Sequence, residues 1–206
     1  MTNFDTRPSR PVVDGICVRL GLPPWAVRVG CAIAFLTLWP LAGHAQSVTA
    51  TVPVGTLPVA VAVNPVTNKI YVANQNTANV TVIDGATNAT TTVPAGTTAA
   101  PGVLAVAVNP VTNKIYVANK GSNVTVIDGA TNATQTVDAG LLPSAVAVNP
   151  VTNKIYVVNG GSPSVTVIDG ATNATATVTV AAGGSVIAVN PVTNKIYVAN
   201  SVTQAR

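Results

Sequence analysis

From Val59 onward the hydrophobic positions recur in twos rather than in threes and fours. Val59, Ala60, Val61, Ala62 and Val63 alternate valine with alanine, which puts branched and small side chains on opposite faces of an extended strand. Asn64 and Pro65 break the run: proline fixes φ near a turn value, and an asparagine side chain hydrogen-bonds the backbone two residues on. Asn68 suits the left-handed conformation that closes such a loop. The pattern then predicts strands over Lys69–Asn74, Asn79–Asp84 and, after a turn at Gly85–Asn88, Ala89–Val93. All three are rich in β-branched or aromatic residues. An amphipathic helix needs apolar residues three and four apart over about ten positions, and residues 46–206 contain no such run.

This unit recurs. AVNPVTNKIYV begins at Ala62, Ala107, Ala147 and Ala188 without a substitution, and VTVIDGATNAT follows the first three copies at Val80, Val124 and Val165. The copies start 45, 40 and 41 residues apart. Such periods mark supersecondary units that are stable only when stacked on their neighbours. Within a unit, both faces of the second and third strands are largely apolar (Ile70 and Val72 against Tyr71 and Ala73), so both should be covered. The alanines of the first strand suit a crowded position near a common axis. The fourth strand, Thr90–Thr92, is polar like an outer edge. The expected fold class is therefore all-β, a β-propeller of four-stranded antiparallel blades. A stacked β-solenoid is the competing architecture, but its coils are usually shorter.

KIYVAN and KIYVVN, set after NPVTN and before VTVID, resemble the bacterial YVTN-type β-propeller repeat over residues 48–200. The chain reads Tyr-Val-Ala-Asn or Tyr-Val-Val-Asn in place of the name-giving tetrapeptide. The resemblance implies a propeller of usually about seven blades, exported and often found at cell surfaces. The wider superfamily includes lactonase-like, quinoprotein-like and purely binding members, so the fold does not choose a function.

Residues 1–45 differ sharply from the rest. They hold every Cys, His, Trp, Phe and Met of the chain. Arg19 and Arg28 precede an apolar run from Val29 to Ala42, and Gly43-His44-Ala45 places small residues before a cut ahead of Gln46. This is the layout of a secretory signal peptide; the run is shorter than the roughly 20 residues a membrane span needs. The domains expected are a leader over 1–45 and repeats over 46–206, with units at 59–93, 104–137, 145–180 and a half unit at 186–200. The half unit lacks VTVIDGATN, so the array reads as truncated at about three and a half blades, a partial or open propeller. Residues 46–54 read as an orphan strand, in the place of a blade's fourth. Open strand edges recruit other strands, so self-association through these ends is expected.

After Ala45 the chain has no Cys, His or Glu. The usual general base, the thiol nucleophile and transition-metal ligands are therefore missing. Lys69, Lys114, Lys120, Lys154, Lys195 and Arg206 stand against Asp84, Asp128, Asp138 and Asp169, too weak a surplus for a nucleic-acid surface. Asp84, Asp128 and Asp169 each precede Gly and read as turn caps, since one carboxylate per copy is too few for a calcium loop. Lys69, Lys114, Lys154 and Lys195 are expected to solvate a rim of loops. Tyr71, Tyr116, Tyr156 and Tyr197 are expected to pack between blades. The Asn-x-Thr strings at Asn79, Asn88, Asn123, Asn132 and Asn173 match glycosylation acceptors, but recur because the repeat recurs. No catalytic, cofactor-binding or metal site and no cofactor is expected. The reading is an exported, non-catalytic binding or structural module of the periplasm, cell surface or extracellular space. Its partner is expected to be a protein or cell-surface ligand, with no nucleic acid bound and no membrane span after leader removal. The alternative is a fragment of a lactonase-like or quinoprotein-like enzyme. N-terminal sequencing of secreted or periplasmic material should begin at Gln46; an intact leader in the cytosol would contradict export.

Overall fold

The computed structural model describes residues 2–4, 48–96 and 102–201. The apolar run at 29–42, its cut site and residues 202–206 lie outside the described residues. The chain divides into two compact units, Met1–Val52 and Pro53–Arg206. In the first, β1 (Thr2–Phe4) and β2 (Val48–Thr51) form an antiparallel pair with Thr2 opposite Thr51. The strand expected to be an orphan thus has a partner from the chain's own start, as an unpaired backbone edge requires.

The second unit is built of successive meanders. Blade 1 comprises β3 (Pro58–Asn64), β4 (Lys69–Asn74), β5 (Asn79–Asp84) and β6 (Thr90–Pro94). Blade 2 comprises β7 (Val103–Asn109), β8 (Lys114–Asn119), β9 (Asn123–Asp128) and β10 (Thr134–Asp138). Blade 3 comprises β11 (Pro143–Asn149), β12 (Lys154–Asn159), β13 (Ser164–Asp169) and β14 (Thr175–Thr179). A half blade follows, β15 (Gly184–Asn190) and β16 (Lys195–Asn200). Every sheet runs in sequence order and antiparallel, and no helix occurs among the described residues. The architecture is an open β-propeller of about three and a half blades.

Local chemistry sets the turns. Asn68, Asn113, Asn153 and Asn194 all adopt φ near 52°, a left-handed value that asparagine tolerates and a β-branched residue does not. Each is followed by a lysine that opens the second strand. In each full blade the third-to-fourth turn stacks on this one: Gly85 N–H donates to Asn68 O at 2.8 Å, with equivalents at Gly129 and Gly170. A Cβ on those glycines would lie 2.7, 2.7 and 2.9 Å from the asparagine carbonyl oxygen. The glycine of Asp-Gly is therefore required by close backbone approach as well as by the turn.

The first strands β3, β7, β11 and β15 lie side by side. Three apolar clusters fill the spaces between blades. Tyr71, Ala73, Val80, Val82 and Val93 of blade 1 meet Val103, Ile115, Val117 and Ile127 of blade 2. Tyr116, Val124, Val126 and Val137 meet Ile155, Val157 and Ile168 of blade 3. Tyr156, Val158 and Val165 meet Ile187 of the half blade, with Val189, Ile196 and Val198 partly buried around it. One blade face thus carries tyrosine with smaller residues, and the other carries only branched aliphatics. Each fully buried Val or Ile contributes roughly 1.5–3 kcal/mol relative to exposure.

Coverage of both faces holds for blade 2, while blade 3 is covered fully only on the side of blade 2. Val93 is 2% exposed and Val137 6%, while Val178, in the same register position of blade 3, is 50% exposed. The third strand of a following blade would cover it, and the half blade has none among the described residues. The space left is an apolar groove of about 210 Å³ lined by Tyr156, Val165, Val167, Val178, Val180, Ile196 and Val198. Val93→Ala should cost about 2 kcal/mol of unfolding free energy, whereas Val178→Ala should stay within about 0.5 kcal/mol. Urea midpoints of the two variants would check this; equal losses would place the blade 3 face in a covered environment.

Candidate functional site

The strongest concentration of polar side chains lies at the end of the blades where the first and third turns stack. Asn64 is fully buried. Its Oδ1 accepts from Val66 N–H and Thr67 N–H at 3.0 and 3.4 Å, closing its own turn. Its Nδ2 donates to Asn113 Oδ1 of the next blade at 2.8 Å. The arrangement repeats from Asn109 to Asn153 and from Asn149 to Asn194, again at 2.8 Å. One buried amide thereby closes its turn and ties it to the neighbouring blade. Asn190 caps the turn of the half blade in the same way, through Val192 N–H and Thr193 N–H.

The aspartates behave as turn caps. Asp84 Oδ1 accepts from Ala86 N–H, Thr87 N–H and Thr87 Oγ1 at 2.9–3.0 Å, and Asp128 does the same. The amide and hydroxyl of Thr87 hold the Asp84 carboxyl below its ordinary pKa, with Ala86 N–H and the more distant Lys69 adding to the effect. Thr131 and Ala130 act likewise on Asp128. At Asp169 the largest influence is the Lys154 ammonium, followed by Thr172 and Ala171 N–H.

The lysines differ from expectation. They bond rather than merely solvate loops. Lys69 Nζ donates across the blade boundary to Gly129 O at 2.8 Å, and Lys114 Nζ donates to Gly170 O at 2.9 Å. Lys154 has no such carbonyl ahead of it, since no third-to-fourth turn follows β16 among the described residues. It folds back onto Asp169 Oδ2 of its own blade at 2.6 Å. That pair is about one-third exposed, and solvent screens much of its value.

The tyrosines pack between blades at positions 71, 116 and 156, but Tyr197 is 56% exposed because no blade covers it. The hydroxyls of Tyr71 and Tyr116 are buried without a hydrogen-bond partner among the described residues. Burial raises both pKa values, helped by the charges of Asp128 and Asp169, to about 12 at Tyr116. Such groups are neutral and unreactive at physiological pH.

At the opposite end lies a second polar layer that the alternation of strands and turns does not predict. Asn74, Asn119 and Asn159 are buried, and each Nδ2 reaches the hydroxyl of Thr81, Thr125 or Thr166 at 2.8–3.0 Å. A signal for it exists in the repeat: each asparagine closes the second strand, and its threonine stands third in the next strand. Those hydroxyls in turn accept from Gly55, Gly96 and Gly140 N–H of the linkers that enter each blade.

Two clefts open beside the turn end. One, about 410 Å³, is lined by Lys114, Asp128, Thr134, Gln135 and Asn173; the other, about 240 Å³, by Lys154, Asp169, Thr172 and Thr175. Each offers one lysine and one aspartate, already engaged as described. No group of three or more His, Cys, Asp or Glu lies together among the described residues, and no described helix is long and apolar enough to cross a membrane.

No family model matches the chain, and neither does any curated protein. Solved structures do. Hydrazine synthase of Kuenenia stuttgartiensis is similar at a TM-score of 0.66 and 20% identity, over 76% of this chain and 46% of that one. An auxiliary nutrient binding protein of Bacteroides thetaiotaomicron is similar at 0.57 and 16%, over 69% and 36%. U3-55K is similar at 0.53 and 15%, over 60% and 39%. At these identities the likeness concerns the fold, and the chain spans less than half the length of each of these structures.

The turn chemistry can be tested at two kinds of residue. Asn109→Ala strips two turn amides of their acceptor and leaves Asn153 Oδ1 without its donor, so it should cost about 3 kcal/mol; Asn190→Ala, with only its own turn at stake, should cost about 1 kcal/mol. Chemical denaturation would measure both. Separately, the folded-state pKa values of Asp84, Asp128 and Asp169 lie below the ordinary value of about 4,. Their contribution to stability is complete above that pH and is lost as the pH falls through the depressed values. Melting temperature should drop between about pH 4 and pH 2, and less so in Asp84→Asn. A flat profile would show that these caps contribute nothing.

Proposed function

We propose that this protein is a non-catalytic binding or structural module, exported and working in the cell envelope or outside the cell. The observation that carries the reading is the state of the polar side chains. At the turn end the three aspartates, three of the repeat lysines and the repeated asparagines are spent on closing turns and joining blades. What remains beside the clefts is amide and hydroxyl chemistry: Gln135 and Asn173, which bond each other at 2.7 Å, with Thr134 and Thr175. Such groups hold a ligand by hydrogen bonds and activate nothing. The absence of His, Cys and Glu from residues 46–206 supports the same view. The nutrient binding protein among the structural neighbours supplies a precedent for a binding role on this fold, by analogy only. The apolar run and small-residue site before Gln46 support export, and the resemblance of KIYVAN to YVTN-type repeats supports a surface location.

Purified protein should show no turnover above background with lactones, phosphoesters or sugar alcohols, with or without calcium or a quinone. Robust turnover abolished by one point substitution, at Lys114 or Asp128 for instance, would overturn the binding-module reading.

A further inference from the structure

Each internal boundary of the propeller joins the same two faces in the same register. Val106, Val108 and Ile115 of blade 2 pack over Tyr71 and Ala73 of blade 1. Val146, Val148 and Ile155 pack over Tyr116. Two polar bonds accompany the first two boundaries: asparagine Nδ2 to the next blade's asparagine Oδ1, and lysine Nζ to the next blade's glycine carbonyl. The third boundary keeps the asparagine bond.

Among the described residues, three boundaries join four blade positions and leave one face of each kind unmatched. Blade 1 presents the branched face, with Val61 and Val63 52% and 55% exposed and Ile70 half-buried. The half blade presents the tyrosine face, with Val186 and Tyr197 59% and 56% exposed beside Ala188 and Ala199. The polar atoms are unmatched in the complementary sense. Asn190 Nδ2 and Lys195 Nζ, the donors of an onward boundary, make no hydrogen bond among the described residues. Asn68 Oδ1 and Gly85 O, the acceptors of an incoming one, receive no such donor there. Apolar shape, donors and acceptors therefore agree on one occupant.

We propose that the two terminal faces pair between molecules, the tyrosine face of one copy seating on the branched face of a second copy. The internal boundaries fix the register: Tyr197 and Ala199 against Val61 and Val63 of the second copy, Asn190 Nδ2 on its Asn68 Oδ1, and Lys195 Nζ on its Gly85 O. The contact is head-to-tail, and such contacts close when the rotation completes a ring. The described residues of each chain form three full blades and a half blade, so two copies supply eight blade positions, within the range of about 4–8 blades that closed propellers hold. This pairing uses faces, and differs from strand addition at the β16 edge.

The test uses two variants of the 206-residue chain, each altered only at exposed side chains. Val61→Asp with Val63→Asp blocks the branched face, and Tyr197→Asp blocks the tyrosine face. Light scattering should give the unaltered chain twice its 20.6 kDa mass. Each variant alone should be monomeric, with its circular dichroism unchanged. An equimolar mixture should recover the doubled mass at raised concentration, because each variant retains the face the other lacks. A monomeric unaltered chain would overturn the proposal. So would association that survives in either variant alone, as pairing through the β16 edge or through the apolar run at 29–42 predicts. A mixture that stays monomeric while the unaltered chain pairs would overturn it equally.

Discussion

The bond from Asn64 Nδ2 to Asn113 Oδ1, repeated from Asn109 to Asn153 and from Asn149 to Asn194, is the interaction on which the turn end of the propeller depends. A tight turn between two strands leaves amide donors that no strand ladder pairs. The same asparagine satisfies two of them with its oxygen and uses its nitrogen to fix the next blade. Aspartate would offer no donor and serine no second arm. The receiving asparagine, whose backbone is left-handed, presents its oxygen to that nitrogen. Between these polar ties the blades are joined by apolar faces, non-directional in themselves, and the asparagines supply the register that the valines cannot.

Blade architecture was legible because alternation, turn chemistry and repetition agreed. Strand limits, the capping role of Asp84, Asp128 and Asp169, and the left-handed Asn68 all arise from local rules. The cross-blade bonds were not legible. The lysine of NKIY reads as a surface charge, and nothing nearby in the sequence shows that Lys69 meets Gly129 sixty residues on. The buried Asn74 reads like the tail of a strand, because burial is decided by the linker that folds over it. Tyr197 shows the opposite failure: its sequence context matches that of Tyr71, yet it is exposed, since no blade packs over it among the described residues. A repeat specifies each unit's chemistry but leaves the environment to position in the array.

Lys154 makes this dependence visible at one atom. Lys69 and Lys114 reach forward to a carbonyl of the next blade, whereas Lys154 turns back to Asp169. The stem, backbone and neighbouring sequence are alike in all three. The difference is the missing third-to-fourth turn of the half blade, so the lysine takes the best acceptor within reach. The two clefts differ for related reasons: the larger has Asn173 of the adjoining blade on its wall, and the smaller draws on blade 3 residues.

Repetition without substitution also has a consequence for how the chain finds its fold. Apart from Val103, which Pro143 replaces in blade 3, the branched faces of blades 2 and 3 carry the same apolar residues at the same positions, as do the tyrosine faces they cover. Chemistry therefore cannot tell an unfolded unit which neighbour is its own. Order along the array must come from the tether: units separated by one short linker meet at far higher effective concentration than units two apart. Skipped-neighbour pairings, close in contact energy and poorer mainly in loop entropy, are the natural kinetic traps of such a chain. In this propeller the short linkers carry the information about sequence order that the well-packed interfaces lack.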